Sequence, residues 1–207
     1  MDEFQNLLSP RPVGYEEALQ KAWRALERKS AEQIVHAKGL SLRDRLITIP
    51  FLGEEFFLDL TAKRVTDQKG SEVYPFLRVL LLHYVCSDSS AQPTGEWLSF
   101  RQLTGGDTYY PAFAARTVER LKKRFGGREE EFVQAAERLN GRRLAFPDIS
   151  FAFDVFPHVV LAVVLNRATE EFGAEAVVLF DEAAPEHLET EDLAVCGAML
   201  VSRLVKG

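Results

Sequence analysis

The residues of this sequence whose types and spacing could do chemistry fall into two groups. Asp181 ends an apolar run, His187 lies six residues further on, and Glu189, Glu191 and Asp192 surround a helix start. Together they could form a carboxylate–histidine pair or a metal-ligand set, with the histidine carrying protons near neutral pH. Acidic residues at a helix start are also what capping and the helix dipole favour, and a surface histidine needs no role. In the second group, Gly105-Gly106-Asp107-Thr108 opens a helical run, where free backbone N–H groups and the positive helix end attract phosphate or carboxylate. Arg101 and Arg116 could reinforce such a site, each with a planar fork of donors. No Lys-Ser or Lys-Thr follows and there is no Gly-x-Gly-x-x-Gly, so a turn with Asp107 or Thr108 as N-cap explains the same residues. Trp97, Phe100, Tyr109 and Tyr110 could line a pocket for a planar ligand, or belong to the core. The candidate ligand-binding residues are therefore Trp97, Arg101, Asp107, Tyr109, Arg116, Asp181 and His187. None is assigned as catalytic, and no metal ligand is assigned.

Other chemistries find no matching pattern. His36, His83 and His158 are scattered without His-Glu-x-x-His spacing, and no Gly-x-Ser-x-Gly elbow places a nucleophilic serine. Cys86 and Cys196 lie far apart in apolar runs and read as buried free thiols, too few for a four-thiolate cluster or zinc site. The basic group Arg116, Arg120, Lys122, Lys123, Arg124 and Arg128 could contact nucleic acid, but cations in a last helical turn complement the dipole and Glu129 to Glu131 adjoin them.

The whole-chain numbers agree. With 207 residues, 46% hydrophobic and 27% charged, the chain is expected to form one domain, with a possible helical sub-lobe over 107–140. Phenylalanine supplies 15 of the aromatic residues, so a Phe-rich core is expected. A net charge of -6 opposes non-specific attraction to nucleic acid and anionic membranes. No run approaches the roughly 18 to 20 apolar residues of a membrane span, and the acidic start Met1-Asp2-Glu3-Phe4 has no signal-peptide pattern. A soluble, cytoplasmic protein is expected, with nucleic acid disfavoured, a protein partner allowed and any cofactor unspecified.

The elements that must position these residues read as α+β: an antiparallel sheet, formed by a C-terminal meander plus an N-terminal hairpin, packed with helices. Pro10 and Pro12 keep the first residues extended. A helix from Tyr15 to Lys29 carries Leu19, Ala22, Trp23 and Leu26 on one stripe. Arg45 to Ile49 and Phe56 to Leu60 read as a hairpin, with Pro50 confined to a strand end or edge. Phe76 to Cys86, led by Pro75, reads as a buried helix. Ser87 to Gly95 reads as a surface loop and the best internal boundary. A long helix is expected to about Phe125, stopped by Gly126-Gly127, then a second over Glu129 to Leu139. Ile149 to Val155 alternates as a half-buried strand, Val159 to Leu165 reads as a strand covered on both faces, and Ala176 to Phe180 completes the meander. Thr190 is the expected N-cap of a last helix packed on the sheet.

Two segments carry a family resemblance. Pro93-Thr94-Gly95-Glu96-Trp97-Leu98-Ser99-Phe100-Arg101-Gln102-Leu103 with Tyr109 and Phe113, and Leu179-Phe180-Asp181 leading to His187-Leu188-Glu189-Thr190-Glu191-Asp192-Leu193, resemble the bacterial and archaeal domain-of-unknown-function family 3786. Members are sometimes labelled iron–sulfur proteins, and some resemble fusions with cysteine-rich cluster domains found with corrinoid methyl-transfer systems of anaerobes. This chain lacks the cysteine-rich segment, so the resemblance implies that any cluster sits on a partner. With the missing catalytic motifs, the resemblance favours an accessory or ligand-binding module, for an anionic or planar ligand at the Trp97 to Arg116 segment or for a redox or corrinoid partner; the alternative, read from the residues, is a small-molecule enzyme acting on an anionic substrate through the Asp181/His187 pair with Arg101 or Arg116.

Overall fold

The computed structural model describes residues 14–166 and 174–206; the segment around Pro10 and Pro12 lies outside the described residues. Helix α1 (Tyr15–Leu26) buries Ala22 and Leu26 of its apolar stripe. Helix α2 (Ala31–Lys38) starts with a capping box: the Ser30 hydroxyl accepts from the Gln33 N–H at 3.2 Å, and the Gln33 side chain accepts from the Ser30 N–H at 2.8 Å. It stops at Gly39, whose φ of 61° suits glycine.

The N-terminal hairpin is the centre of a four-stranded antiparallel sheet, β1 (Ser41–Arg43), β2 (Leu46–Phe51), β3 (Glu54–Asp59) and β4 (Arg64–Thr66), in that order. Pro50 pairs with Glu55 on β3 near the end of β2, beyond the residues that β1 pairs, so its missing N–H removes no bond to β1. Helix α3 (Pro75–Cys86) packs against α1 and buries Leu77, Leu80, Leu81, Leu82, Tyr84 and Val85.

The C-terminal meander, β7 (Ile149–Phe156), β8 (Val159–Asn166) and β9 (Glu175–Asp181), forms a second antiparallel sheet in the order β5-β9-β8-β7-β6, with β5 (Trp97–Ser99) and β6 (Arg142–Arg143) at its edges. The architecture is α+β, its strands divided between two sheets. In β7 the alternation expected of a half-buried strand gives way to burial on both faces, including Ser150 and Ala152, because β2 and helix α6 (Glu129–Arg138) pack against it.

The long helix expected before Gly126 is two, α4 (Gly106–Arg116) and α5 (Val118–Phe125). They meet at Thr117 (φ -125°, ψ -81°), whose hydroxyl donates to the Phe113 carbonyl at 2.7 Å, a local bond that competes with the helix ladder. Neither Asp107 nor Thr108 caps α4. Its N-cap is Gly105 at φ 72°, and a Cβ on Gly106 would meet the Phe100 carbonyl oxygen at 1.9 Å. After the short α7 (Ala184–His187), α8 (Thr190–Lys206) packs against α4, α5 and α6. The two sheets meet where the Leu52 N–H donates to the Val155 carbonyl at 3.0 Å and the Phe51 and Phe156 rings lie 4.9 Å apart. Buried residues of both belong to one hydrophobic cluster.

Candidate functional site

A cleft of about 430 Å³ opens between α1, α3, α7 and the start of α8, with Lys21, His83, Cys86, Glu186, His187 and Asp192 among its lining residues. Helix α3 presents His83 because it is one of the few polar side chains on an otherwise apolar helix. The first turn of α8 presents Asp192 against it. His83 Nδ1 lies 2.8 Å from Asp192 Oδ2. The carboxylate can only accept when ionised, so Nδ1 carries the hydrogen and Nε2 is left without a hydrogen-bond partner among the described residues. That hydrogen bond raises the His83 pKa above its ordinary value; burial and Lys21 oppose it, while the Asp192 charge and Glu189 add to it. The ring is 35% exposed, so it can both exchange protons with solvent and meet a ligand. Cys86 also lines the cleft, but burial pushes its thiol up to about 11 and Sγ sits 3.4 Å from the Ala22 carbonyl. It is only half-buried, not fully buried as expected of both cysteines, and it is a thiol, not a thiolate, at neutral pH.

Behind His187 the cleft gives way to a buried polar cluster. Lys38, fully buried at the end of α2, donates from Nζ to the Ser89 carbonyl at 2.8 Å and lies 2.9 Å from His187 Nδ1. His187 Nε2 is 2.9 Å from the Ala91 carbonyl. A carbonyl only accepts and an ammonium only donates, so His187 is the neutral tautomer with its hydrogen on Nε2. Its pKa, lowered to about 4 chiefly by burial, agrees. Burial, with Lys29 nearby, also lowers Lys38 to about 8.

The candidates read from sequence disperse. Asp181 is 1% exposed and its carboxylate accepts from the N–H groups of Thr94, Gly95 and Ala183 at 2.8–3.1 Å. It pins the loop Ser87 to Gly95 to the sheet, and His187 pairs with Lys38, not with Asp181. Trp97 lies opposite Asp181 across β5 and β9. Arg101 and Asp107 form an exposed ion pair at 3.0 Å, and the Arg101 guanidinium stacks 3.7 Å over Tyr110. Asp107 is thus engaged by a side chain, not by the start of α4. Tyr109 is 47% exposed and Arg116 partly exposed at the end of α4. In the basic group, Lys122 pairs with Glu175 at 3.0 Å, Arg124 with Glu131, and Arg128 donates to the Lys123 carbonyl. The carboxylate–histidine pair sought around the start of α8 does exist, but Asp192 meets His83, 109 positions away. Lys38 gave no local signal at all.

Among the described residues no group of three or more His, Cys, Asp or Glu is arranged to hold a metal ion, and no helix is long and apolar enough to cross a membrane. No curated protein and no solved structure matches the chain. One family model matches residues 30–203, a span from the cap of α2 to the last turns of α8 that contains His83, Lys38, His187 and Asp192; the chain belongs to the family described as domain of unknown function DUF3786.

Proposed function

We propose that this protein is a cytoplasmic binding module for a small polar molecule, held in the cleft between α1, α3, α7 and α8. The observation that carries the reading is the His83–Asp192 pair, which fixes the ring by Nδ1 and leaves Nε2 for a ligand at the cleft wall. A concave site with a few polar groups on mostly apolar walls is the usual form of a small-molecule site. Ala22, Ala25 and Leu188 supply the apolar walls here. The two free thiols suit a reducing compartment. A second reading, acid–base catalysis in the same cleft, is favoured by the raised pKa of His83, since a histidine held by a carboxylate can take and return a proton near neutral pH.

The test is ligand-observed NMR against a set of small carboxylates, amides and amines, together with a pH titration of the His83 ring resonances. Binding should perturb His83, and Asp192→Asn should lower the His83 pKa and weaken binding while leaving the fold intact by circular dichroism. Hits that leave the His83 resonances unmoved, or that bind Asp192→Asn equally well, would remove the cleft from consideration.

A further inference from the structure

Under the loop Ser87 to Gly95 lies a set of polar side chains of which only His187 also lines the cleft. Lys38, Tyr84, His158 and His187 come from four separate places in the fold, and none is more than 7% exposed. Lys38 Nζ lies 5.0 Å from the Tyr84 ring centroid, and the His187 ring lies 5.4 Å from His158 and 6.1 Å from Tyr84. No carboxylate among the described residues forms an ion pair with Lys38: Asp88, itself held by Lys29, acts on the amine only from beyond contact distance, so a buried amine that ordinarily carries charge lacks a contacting counter-ion, a costly arrangement unless something supplies one. Gln92 Nε2 lies 3.2 Å from His158 Nε2; the amide donates, so His158 carries its hydrogen on Nδ1. That Nδ1 is buried without a hydrogen-bond partner among the described residues, at a cost of about 1–3 kcal/mol if left so; the Tyr84 hydroxyl, with the His158 backbone as its neighbour, has no acceptor for its own hydrogen among the described residues.

We propose that Lys38, Tyr84, His158 and His187 form a binding site for a small oxyanion, closed in this structure by residues 89–92, whose Ser89 and Ala91 carbonyl oxygens occupy the positions that two ligand oxygens take. The donor set selects the ligand. Lys38 as the ammonium brings two N–H groups beyond the one it gives to His187 Nδ1, His187 the hydrogen on Nε2, His158 the one on Nδ1 and Tyr84 its hydroxyl, with no ionised acceptor among them. Such a set favours a carboxylate or a phosphate-type anion over an amine or an amide. The loop is built to be displaced in its middle only. At one end the Ser87 hydroxyl donates to the Glu186 carbonyl at 3.1 Å, and Lys29 holds the Cys86 carbonyl and Asp88 at 2.5 Å each. At the other end Asp181 holds the Thr94 and Gly95 N–H groups. Between them, Ser89 and Ala91 are tied to the core by the Lys38 and His187 bonds, which an anion can replace one for one, and Gln92 by its side-chain contact with His158. Burial and Lys29 depress the Lys38 pKa more than Asp88 raises it, and an anion in contact with the amine raises it.

The test uses the full chain with inorganic phosphate and with acetate, at ionic strength matched by potassium chloride, read by calorimetry and by hydrogen exchange. Saturable binding of one anion should speed exchange at 89–92 and leave Thr94 and Gly95 protected, and Lys38→Met should weaken it roughly tenfold or more. Which anion binds distinguishes a carboxylate site from a phosphate site. Absence of saturable binding by both, with exchange at 89–92 unchanged, would mean that the orphan donors meet buried water and would overturn the proposal. So would binding that survives in Lys38→Met, which marks an adventitious surface ion only. If Lys38→Met does not fold, the wild-type exchange pattern decides the matter.

Discussion

At the scale of single residues, the two histidines that define the polar centre respond to pH in opposite directions. His187 is buried, and its folded pKa, about 4, lies below the ordinary 6.5. The unfolded chain therefore binds the proton more tightly, and stability falls as pH drops from 6.5 toward 4. His83, raised by Asp192, contributes stability that is fully present below 6.5 and is lost as pH rises through its folded pKa. Lys38, lowered to about 8 from 10.5, makes the protein more stable as pH rises across that interval. Acid lability between pH 6.5 and 4 should thus belong mainly to His187, amounting to at most about 3 kcal/mol at about 1.4 kcal/mol per pKa unit. Urea denaturation of His187→Gln across this range should show a flatter acid limb than wild type; an unchanged limb would assign the effect elsewhere. Asp181 and His187 stand out in the sequence because they follow an apolar run, but what each one does is set by Thr94, 87 positions away, and Lys38, 149 positions away. Local spacing carries no trace of either partner. His83 looks like a lone polar residue on a buried helix until Asp192 is brought beside it.

Elements were legible where one physical signal dominated. Helix α3 follows from an unbroken apolar run behind Pro75, and β8 from a β-branched run too hydrophobic for an exposed face. The α4–α5 break was hidden because the helical pattern continues through Thr117, and only the return bond to the Phe113 carbonyl shows why the helix turns there. The start of α4 was misread because Gly105-Gly106-Asp107 looks like a cap, when its glycines serve close packing. Gly106 sits against the backbone of the 3₁₀ turn Phe100–Gln102, where an added Cβ would meet the Phe100 carbonyl oxygen at 1.9 Å. That atom is backbone and cannot swing aside. Gly106→Ala should cost about 1–3 kcal/mol or more through forced backbone shifts, whereas Gly105→Asn, at a φ of 72° that asparagine tolerates, should cost less. Thermal denaturation of the two variants checks the ordering; equal losses would mean that the close approach is relieved by movement of the turn.

At the scale of the molecule, the sequence suggested a boundary at Ser87 to Gly95, yet this loop is fastened from both sides. Lys29 and Lys38 reach it from the N-terminal half, Asp181 and His187 from the C-terminal half. The sheets are joined again where Phe51 packs on Phe156 and Arg203 of α8 donates to the Leu52 carbonyl at 2.9 Å and pairs with Glu54. We propose on these grounds that the two halves unfold as one cooperative unit. The chain carries its own probes, since its two tryptophans are Trp23 on α1 and Trp97 on β5. In Trp97→Phe the remaining fluorescence reports the N-terminal half, and in Trp23→Phe the C-terminal half. One cooperative unit requires that, in each variant, the fluorescence midpoint in urea coincide with the midpoint by circular dichroism. Phe51→Ala, made at a fully buried ring and costing about 3–5 kcal/mol, should then lower both reporters' midpoints together although it lies in only one sheet. If only the Trp23 reporter moved, the halves would be separate domains and the loop a linker between them. A shared shift would make it a strap across one core, as the oxyanion site beneath it requires.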